Sequence, residues 1–354
     1  MNPNLIVETV TKQQLQPALK NIHWKGENYP FSKDKAAWIL ENKRITDDDI
    51  CLLMAREEQN LVAFIWLVPD FLNAISGPPQ KVYWINHWWV NNTYEKTVLG
   101  AYLFKEALGL TQNKVILKAY AEKAHDFYER QPFSTISEYT RYTIFFGLGP
   151  DMVLAKYPNL KFLKIPIAVV GGIFSIINRK LNVLKAKRGL AQISITAVNN
   201  LEGDIWGFIK THCQEDLIIK DQDYMNWHLS AVQFPSADKP NNRSADSSIC
   251  SYVVKNSAET IGFLSFLKTG KEAYLKYFLC SKEHHNIMVD AFLKKVLEHK
   301  LYHVYTDNGE ILNTIRKKFT TIFVYGATKK AMAHNAIVHE LAGFDVKEQD
   351  GHFI

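Results

Sequence analysis

The stretch VNNTYEKTVLGAYL, Val90 to Leu103, follows the run KVYWINHWW and leads into a segment with helical periodicity. Its glycine, Gly100, stands where a β-rich run hands over to a helix. A helix opening there offers unpaired amides and the positive end of its dipole, and a missing Cβ lets a phosphate come close. Such a junction can hold an anion, or it can be a helix packed tightly on a strand through its one glycine.

Two segments of the chain follow the same plan around this junction. ICLLMAREEQNLVAFIWLV begins at Ile50 and ICSYVVKNSAETIGFLSFL begins at Ile249, and each reads as two β-rich runs joined by a short polar turn. A third strand follows in each (KVYWINHWWV and EAYLKYFLC), then a helix, then another strand (KVILKAYA and LYHVYT). Leu99, Leu103 and Leu110 in the first helix, and Ile287, Ala291 and Val296 in the second, recur near the helical period. The pattern predicts an α/β (α+β) chain of two tandem domains, 1–149 and 191–354, each a mixed, mainly antiparallel sheet flanked by helices.

Between them, 150–190 reads as a linker. Its apolar stretch IPIAVVGGIFSII, Ile165 to Ile177, is too short to span a bilayer, and Arg179, Lys180, Lys185, Lys187 and Arg188 follow it. The expectation is a connecting helix packed between the halves with a solvated basic end; an interfacial membrane helix is the alternative, with a membrane surface the less expected partner.

With 354 residues, 47% of them hydrophobic and 22% charged, the chain is long enough for two cores and too apolar to stay disordered. A net charge of +6, with no basic run interleaved with aromatics, excludes a nucleic-acid groove and suits an anionic small molecule. Cys51, Cys213, Cys250 and Cys280 lie far apart without CxxC spacing, as expected of core thiols in a reducing compartment. No signal peptide is visible at the amino terminus, so a cytoplasmic location is expected.

Hairpin, strand, glycine-marked helix, strand and helix is an order that resembles the GNAT family of acyl-CoA N-acyltransferases. That family carries V-x-x-x-x-(Q/R)-x-x-G-x-(G/A) at the strand-to-helix junction, and Val90, Glu95, Val98 and Gly100 occupy those places. Val98 replaces a glycine and Glu95 a residue that is usually cationic or neutral. Both weaken a phosphate site. The segment AHDFYERQPF, Ala124 to Phe133, is similar to the family's A-x-x-x-Y-x-x-x-G-F, with Pro132 where Gly is usual.

The resemblance implies an acyl group moved from acetyl-CoA or another acyl-CoA to the amine of a small molecule or peptide. Val90, Glu95, Val98, Leu99, Gly100 and Ala101 would hold the cosubstrate, and Tyr128 would protonate the departing thiolate. In the second copy CSKEHHNIMVD has no glycine and Thr314 falls at the place of Tyr128, so that half is degenerate. An inactive tandem protein that binds CoA or a protein partner is the alternative.

No general base stands out. The positions four and six residues before Val90 are Asn86 and Trp84, and alternation turns His87 to the opposite face unless a bulge shifts the parity. Trp84, Trp88 and Trp89 read as core aromatics. His284 lacks the spacing of the HHxxxDG acyltransferase signature, and His299 and His303 straddle a helix-to-strand boundary, so no metal is expected. The carboxyl end AGFDVKEQDGHFI resembles the closing strand of tandem proteins found near bacterial surface-polysaccharide genes.

Overall fold

A computed structural model describes residues 4–20, 30, 33–73, 78–150, 153–154, 157–230 and 247–351. Along the chain run β1 (Leu5–Thr11), α1 (Lys12–Ala18), α2 (Lys33–Glu41), β2 (Ile50–Glu57), β3 (Asn60–Leu72), β4 (Gln80–Val90), α3 (Leu99–Leu110), β5 (Val115–Leu117), α4 (His125–Glu129) and β6 (Phe133–Phe145). Then come α5 (Lys164–Arg188), β7 (Ile193–Ala197), α6 (Gly203–His212), α7 (Gln222–Leu229), β8 (Ser247–Asn256), β9 (Glu259–Thr269), β10 (Glu272–Cys280), α8 (His285–Glu298), β11 (His303–Thr306), α9 (Gly309–Lys318) and β12 (Phe323–His334).

These elements form two compact units, and neither is a continuous stretch. The first comprises 1–138, 213–245 and 329–354, the second 139–212 and 246–328. The consecutive domains 1–149 and 191–354 expected from the sequence are therefore not the units observed. The reason is that strands and segments from the far half complete each one.

In the first unit the sheet order is β1-β2-β3-β4-β5, closed by the end of β12, where Met332 and Ala333 pair antiparallel with Leu117 and Ile116. Among its described strands only β4 and β5 run parallel. The hairpin β2–β3 turns through Glu58 at φ 57°, and β8–β9 turns through Ser257 at φ 54°, so both expected hairpins form around a left-handed first turn residue. One face of the sheet carries Ala63, Ile65, Leu67 and Ile85 under Leu99, Leu103, Phe104, Ala107 and Leu108 of α3. Leu110, expected to join this stripe, is 44% exposed, because the stripe turns through Ala107 and Leu108 instead.

The first unit is closed by distant chain. Trp38 of α2 and Trp227 of α7 stack at 4.3 Å, and each indole N–H donates to the other's carbonyl oxygen, at 2.9 and 2.7 Å. Arg44 donates to Asp70 at 2.5 Å, to Asp221 at 2.8 Å and to the Ile219 carbonyl, and it lies 3.8 Å over the Tyr224 ring. Lys220 donates to Asp350 at 2.6 Å, and Lys347 to Asp216 at 2.8 Å. Gly351 rests on Trp84 so closely that a Cβ would meet the indole at 2.4 Å. The segment singled out at the carboxyl end thus packs into the first unit as far as Gly351, and residues 352–354 lie outside the described residues.

In the second unit the order is β6-β11-β10-β9-β8-β7, with Tyr142 to Phe145 of β6 paired antiparallel to β11 and only β10 and β11 parallel. Its core is built from β8 to β11 with Met288, Val289, Phe292, Leu293 and Val296 of α8 and Ile311 and Ile315 of α9. Residues 150–190 do not stand apart as a linker, because α5 is built into this unit through Gly171, Ser175, Asn178, Asn182 and Ala186. The four cysteines are free thiols.

Candidate active site

β4 is paired along its whole length with β3 but with β5 only at Tyr83 and Trp84. Beyond Trp84, up to Val90, its β5-side edge has no strand pairing among the described residues. Partway along this stretch the register slips: Trp66 pairs with His87 and Leu67 with Ile85, leaving Asn86 as a bulge. The slip changes which face each side chain takes. Ile85, Trp88 and Val90 join the α3 face, whereas His87 and Trp89 lie against Phe64 at 5.6 and 5.8 Å, on the face that also carries Trp66 and Trp84. The bulge therefore puts His87 on the same face as Trp84, and away from Tyr128.

The loop that follows is held by its own bonds. Asn91 Oδ1 accepts from the Thr93 amide, and Tyr94 N–H donates to the Asn91 carbonyl. Thr97 Oγ1 donates to the Tyr94 carbonyl at 2.8 Å and accepts from Leu99 N–H at 3.2 Å. The next two amides of α3, those of Gly100 and Ala101, donate no hydrogen bond to the described residues. Val98, at the N-cap, gives no side-chain cap and is 71% exposed, and Glu95 and Lys96 are exposed beside it. Leu99 is buried in the core.

Gly100 has a structural task as well. A Cβ there would meet Val90 Cγ2 at 3.1 Å and Trp88 Cζ2 at 3.2 Å. Its missing side chain serves the contact of α3 with β4, and the anion-binding capacity rests on the amides.

Tyr128, on α4, sits at 3% exposure in an aromatic cage. Tyr120, Phe127, Phe104, Trp88 and Phe133 surround it with ring centroids 5.0 to 6.2 Å away. Its hydroxyl makes no hydrogen bond with the described residues, and burial, then the neighbouring Tyr120, push its pKa above the usual phenol value. It therefore keeps its proton through the neutral range. Transfer to a thiolate, whose conjugate acid lies near ~8.5, is uphill for such a phenol, so its capacity is to donate a hydrogen bond rather than to surrender the proton outright.

Trp88, read from the sequence as a core aromatic, packs against this core, its ring in contact with Phe104 and Phe127 and its indole Nε1 buried without a partner among the described residues. Sequence reading missed Thr97, whose hydroxyl closes the loop before the helix. Val90, Gly100, Ala101 and Tyr128 are gathered on the α3 side of β4; Glu95 and Val98 stand out from the loop into solvent.

The second unit lacks this arrangement. β4 ends at Val90 and α3 opens at Leu99, whereas β10 ends at Cys280 and α8 opens at His285, with only a short 3-10 turn between. His299 caps the end of α8 and bonds the Tyr252 hydroxyl at 2.6 Å, while His303 starts β11.

The model of the acetyltransferase (GNAT) family matches residues 17–133. Residues 17–133 form a GNAT-family domain. This span holds β2 to β5, the loop at Val98 and Tyr128. Two solved structures resemble the whole chain in fold. One is a GCN5-related N-acetyltransferase from Kribbella flavida, at TM-score 0.51 and 11% identity over 94% of this chain and 73% of that one. The other is the N-myristoyltransferase of Saccharomyces cerevisiae, solved with bound myristoyl-CoA, at TM-score 0.53 and 14% identity over 94% of this chain and 83% of that one. No curated protein matches the chain. At these identities the likeness is one of fold, and it extends beyond the GNAT domain.

Proposed function

We propose that the protein is a cytoplasmic acyl-CoA-dependent N-acyltransferase, acting from its first unit on the amine of a small molecule or peptide, with acetyl-CoA as the simplest cosubstrate. The observation that carries this is the loss of β5 pairing after Trp84, on a strand that ends at a helix with two unpaired amides, inside a span matched by the GNAT family. An unpaired strand edge offers backbone donors and acceptors to an amide-rich chain, and free helix-opening amides suit a pyrophosphate.

Bound acyl-CoA supplies an activated thioester. Amine nitrogen adds to its carbonyl carbon as the C–S bond breaks, and the amine proton leaves through water. The residues do the rest. Gly100 and Ala101 would donate their amides to phosphate oxygens, the β4 edge would align the pantetheine, and the Tyr128 hydroxyl would donate to the sulfur as charge grows there. The second unit reads as a degenerate copy of the first.

A second reading, a CoA-binding or protein-binding module without catalysis, is favoured by one observation: Trp88 packs against both α3 and α4 around Tyr128. Two measurements separate the readings. A rise in melting temperature with millimolar acetyl-CoA, together with thiol release on an amine panel, supports the enzyme. A melting shift without thiol release supports the module, and neither signal would set both aside.

A further inference from the structure

α5 is inside out. The side chains it buries are small or polar: Gly171, Ser175, Asn178, Asn182 and Ala186. They are fixed by specific bonds within the second unit. Asn178 Nδ2 donates to the Phe146 carbonyl at 2.8 Å, and Asn182 Nδ2 to the Thr320 carbonyl at 2.9 Å, while Thr320 N–H donates back to Asn182 Oδ1 at 2.9 Å. Leu148 N–H donates to Ser175 Oγ at 2.9 Å, and Gly171 lets the Leu148 carbonyl approach. The rotation of the helix about its axis is thereby set, with the polar edge inward.

Its apolar residues face out. Ile165 is 76% exposed and Val170 68%, and Val169, Ile173, Ile177, Leu181 and Leu184 are all more than half exposed. The apolar residues of the expected connecting helix are thus left exposed. Exposed apolar area of this extent on one helix marks an interaction surface. By length and composition the helix over 158–188 could cross a membrane, yet its bonded polar edge ties it lengthwise to the unit.

The charge around this face selects the partner. From Tyr157 to Leu201 the sequence has no acidic residue, while Lys161, Lys164, Arg179, Lys180, Lys185, Lys187 and Arg188 are all basic. An apolar face whose own segment carries cations and no acidic residue complements a hydrocarbon layer beneath negative headgroups, while the nearby Asp290 is buried and paired with Lys318. We propose that the outward face of α5 seats the protein on the surface of an anionic lipid membrane, with Ile165 to Ile177 among the acyl chains and the basic end among the headgroups.

The test uses the full chain and phosphatidylcholine vesicles with or without phosphatidylglycerol, read by cosedimentation. The wild type should sediment with the anionic vesicles and be partly released by high salt. Ile165→Asp/Ile173→Asp should lower partitioning by roughly tenfold or more with an unchanged melting temperature, since both side chains already face water. Lys180→Glu/Lys187→Glu should abolish the preference for phosphatidylglycerol. Wild type left in the supernatant overturns the proposal, as does undiminished sedimentation of either variant. A dimer without lipid that Ile165→Asp/Ile173→Asp splits, and that vesicles do not displace, would instead assign the face to a second copy.

Discussion

Gly100 lies so close to Val90 that a methyl group on it would come within 3.1 Å of Val90 Cγ2. The glycine that marks the family's phosphate-binding turn is here also the point where α3 rests on β4. Under the proposed function, packing and binding meet at one residue, and substitutions nearby can separate them.

Gly100→Val presses a branched side chain into Val90 and Trp88, where even a Cβ would come within 3.1 and 3.2 Å. It should destabilise the fold by about 1–3 kcal/mol, seen as a lower denaturation midpoint, whatever its effect on CoA. Val98→Glu, at a side chain 71% exposed, should leave stability unchanged or slightly raised through the helix dipole. It should also weaken acetyl-CoA binding several-fold by repelling phosphate. Equal CoA affinity in Val98→Glu would place the phosphates elsewhere.

Tyr128→Phe removes a hydroxyl that has no hydrogen-bond partner among the described residues, so the melting temperature should stay within a degree or two. If the hydroxyl meets the leaving sulfur, kcat should fall by roughly 10² or more while CoA affinity holds. Turnover within about threefold of wild type would leave Tyr128 as a packing residue.

Asp49 links the start of β2 to β4. Burial alone would raise its pKa, but bonds from Lys81, the Thr46 amide and Tyr83 outweigh it, and the folded value lies below the usual carboxylate value. A depressed folded pKa adds stability above the unfolded value near ~3.9, lost as pH falls through the folded one. Asp49→Asn should therefore cost about 1–3 kcal/mol at neutral pH and flatten the acid limb of the stability profile below pH ~4, measured by urea unfolding.

Arg44 and Asp70 form a pair with side chains 7% and 0% exposed. Arg44→Met strands a buried carboxylate and should destabilise by about 3–5 kcal/mol, whereas removing both charges together should cost less. A double-mutant cycle by chemical denaturation measures the difference.

Local pattern carried much of this. The hairpin at Ile50, its counterpart at Ile249 and the helix at Gly100 follow from turn chemistry and periodicity within a few dozen residues, and Tyr128 was singled out by the resemblance of its segment to the GNAT family. What escaped depends on distance or on a single irregularity. Trp38 with Trp227, and Lys220 with Asp350, join residues too far apart to leave a periodic mark. The bulge at Asn86 reverses side-chain parity without any glycine or proline to announce it. α5 was misread because its apolar composition suggests a core, and only the partners of Asn178 and Asn182 show which edge faces in.

The exchange of strands also bears on how the protein is made. The first unit cannot close its sheet until Met332 and Ala333 reach β5, nor tie down Lys220 until Asp350 is synthesised. At translation rates of about 5–20 residues per second, the nascent first unit waits on the order of 10–40 s with β5 unpaired on one side. During that interval its open edge is a target for chaperones. A chain stopped after the first half would contain the loop at Val98 and Tyr128, yet lack the strand that holds β5 in place.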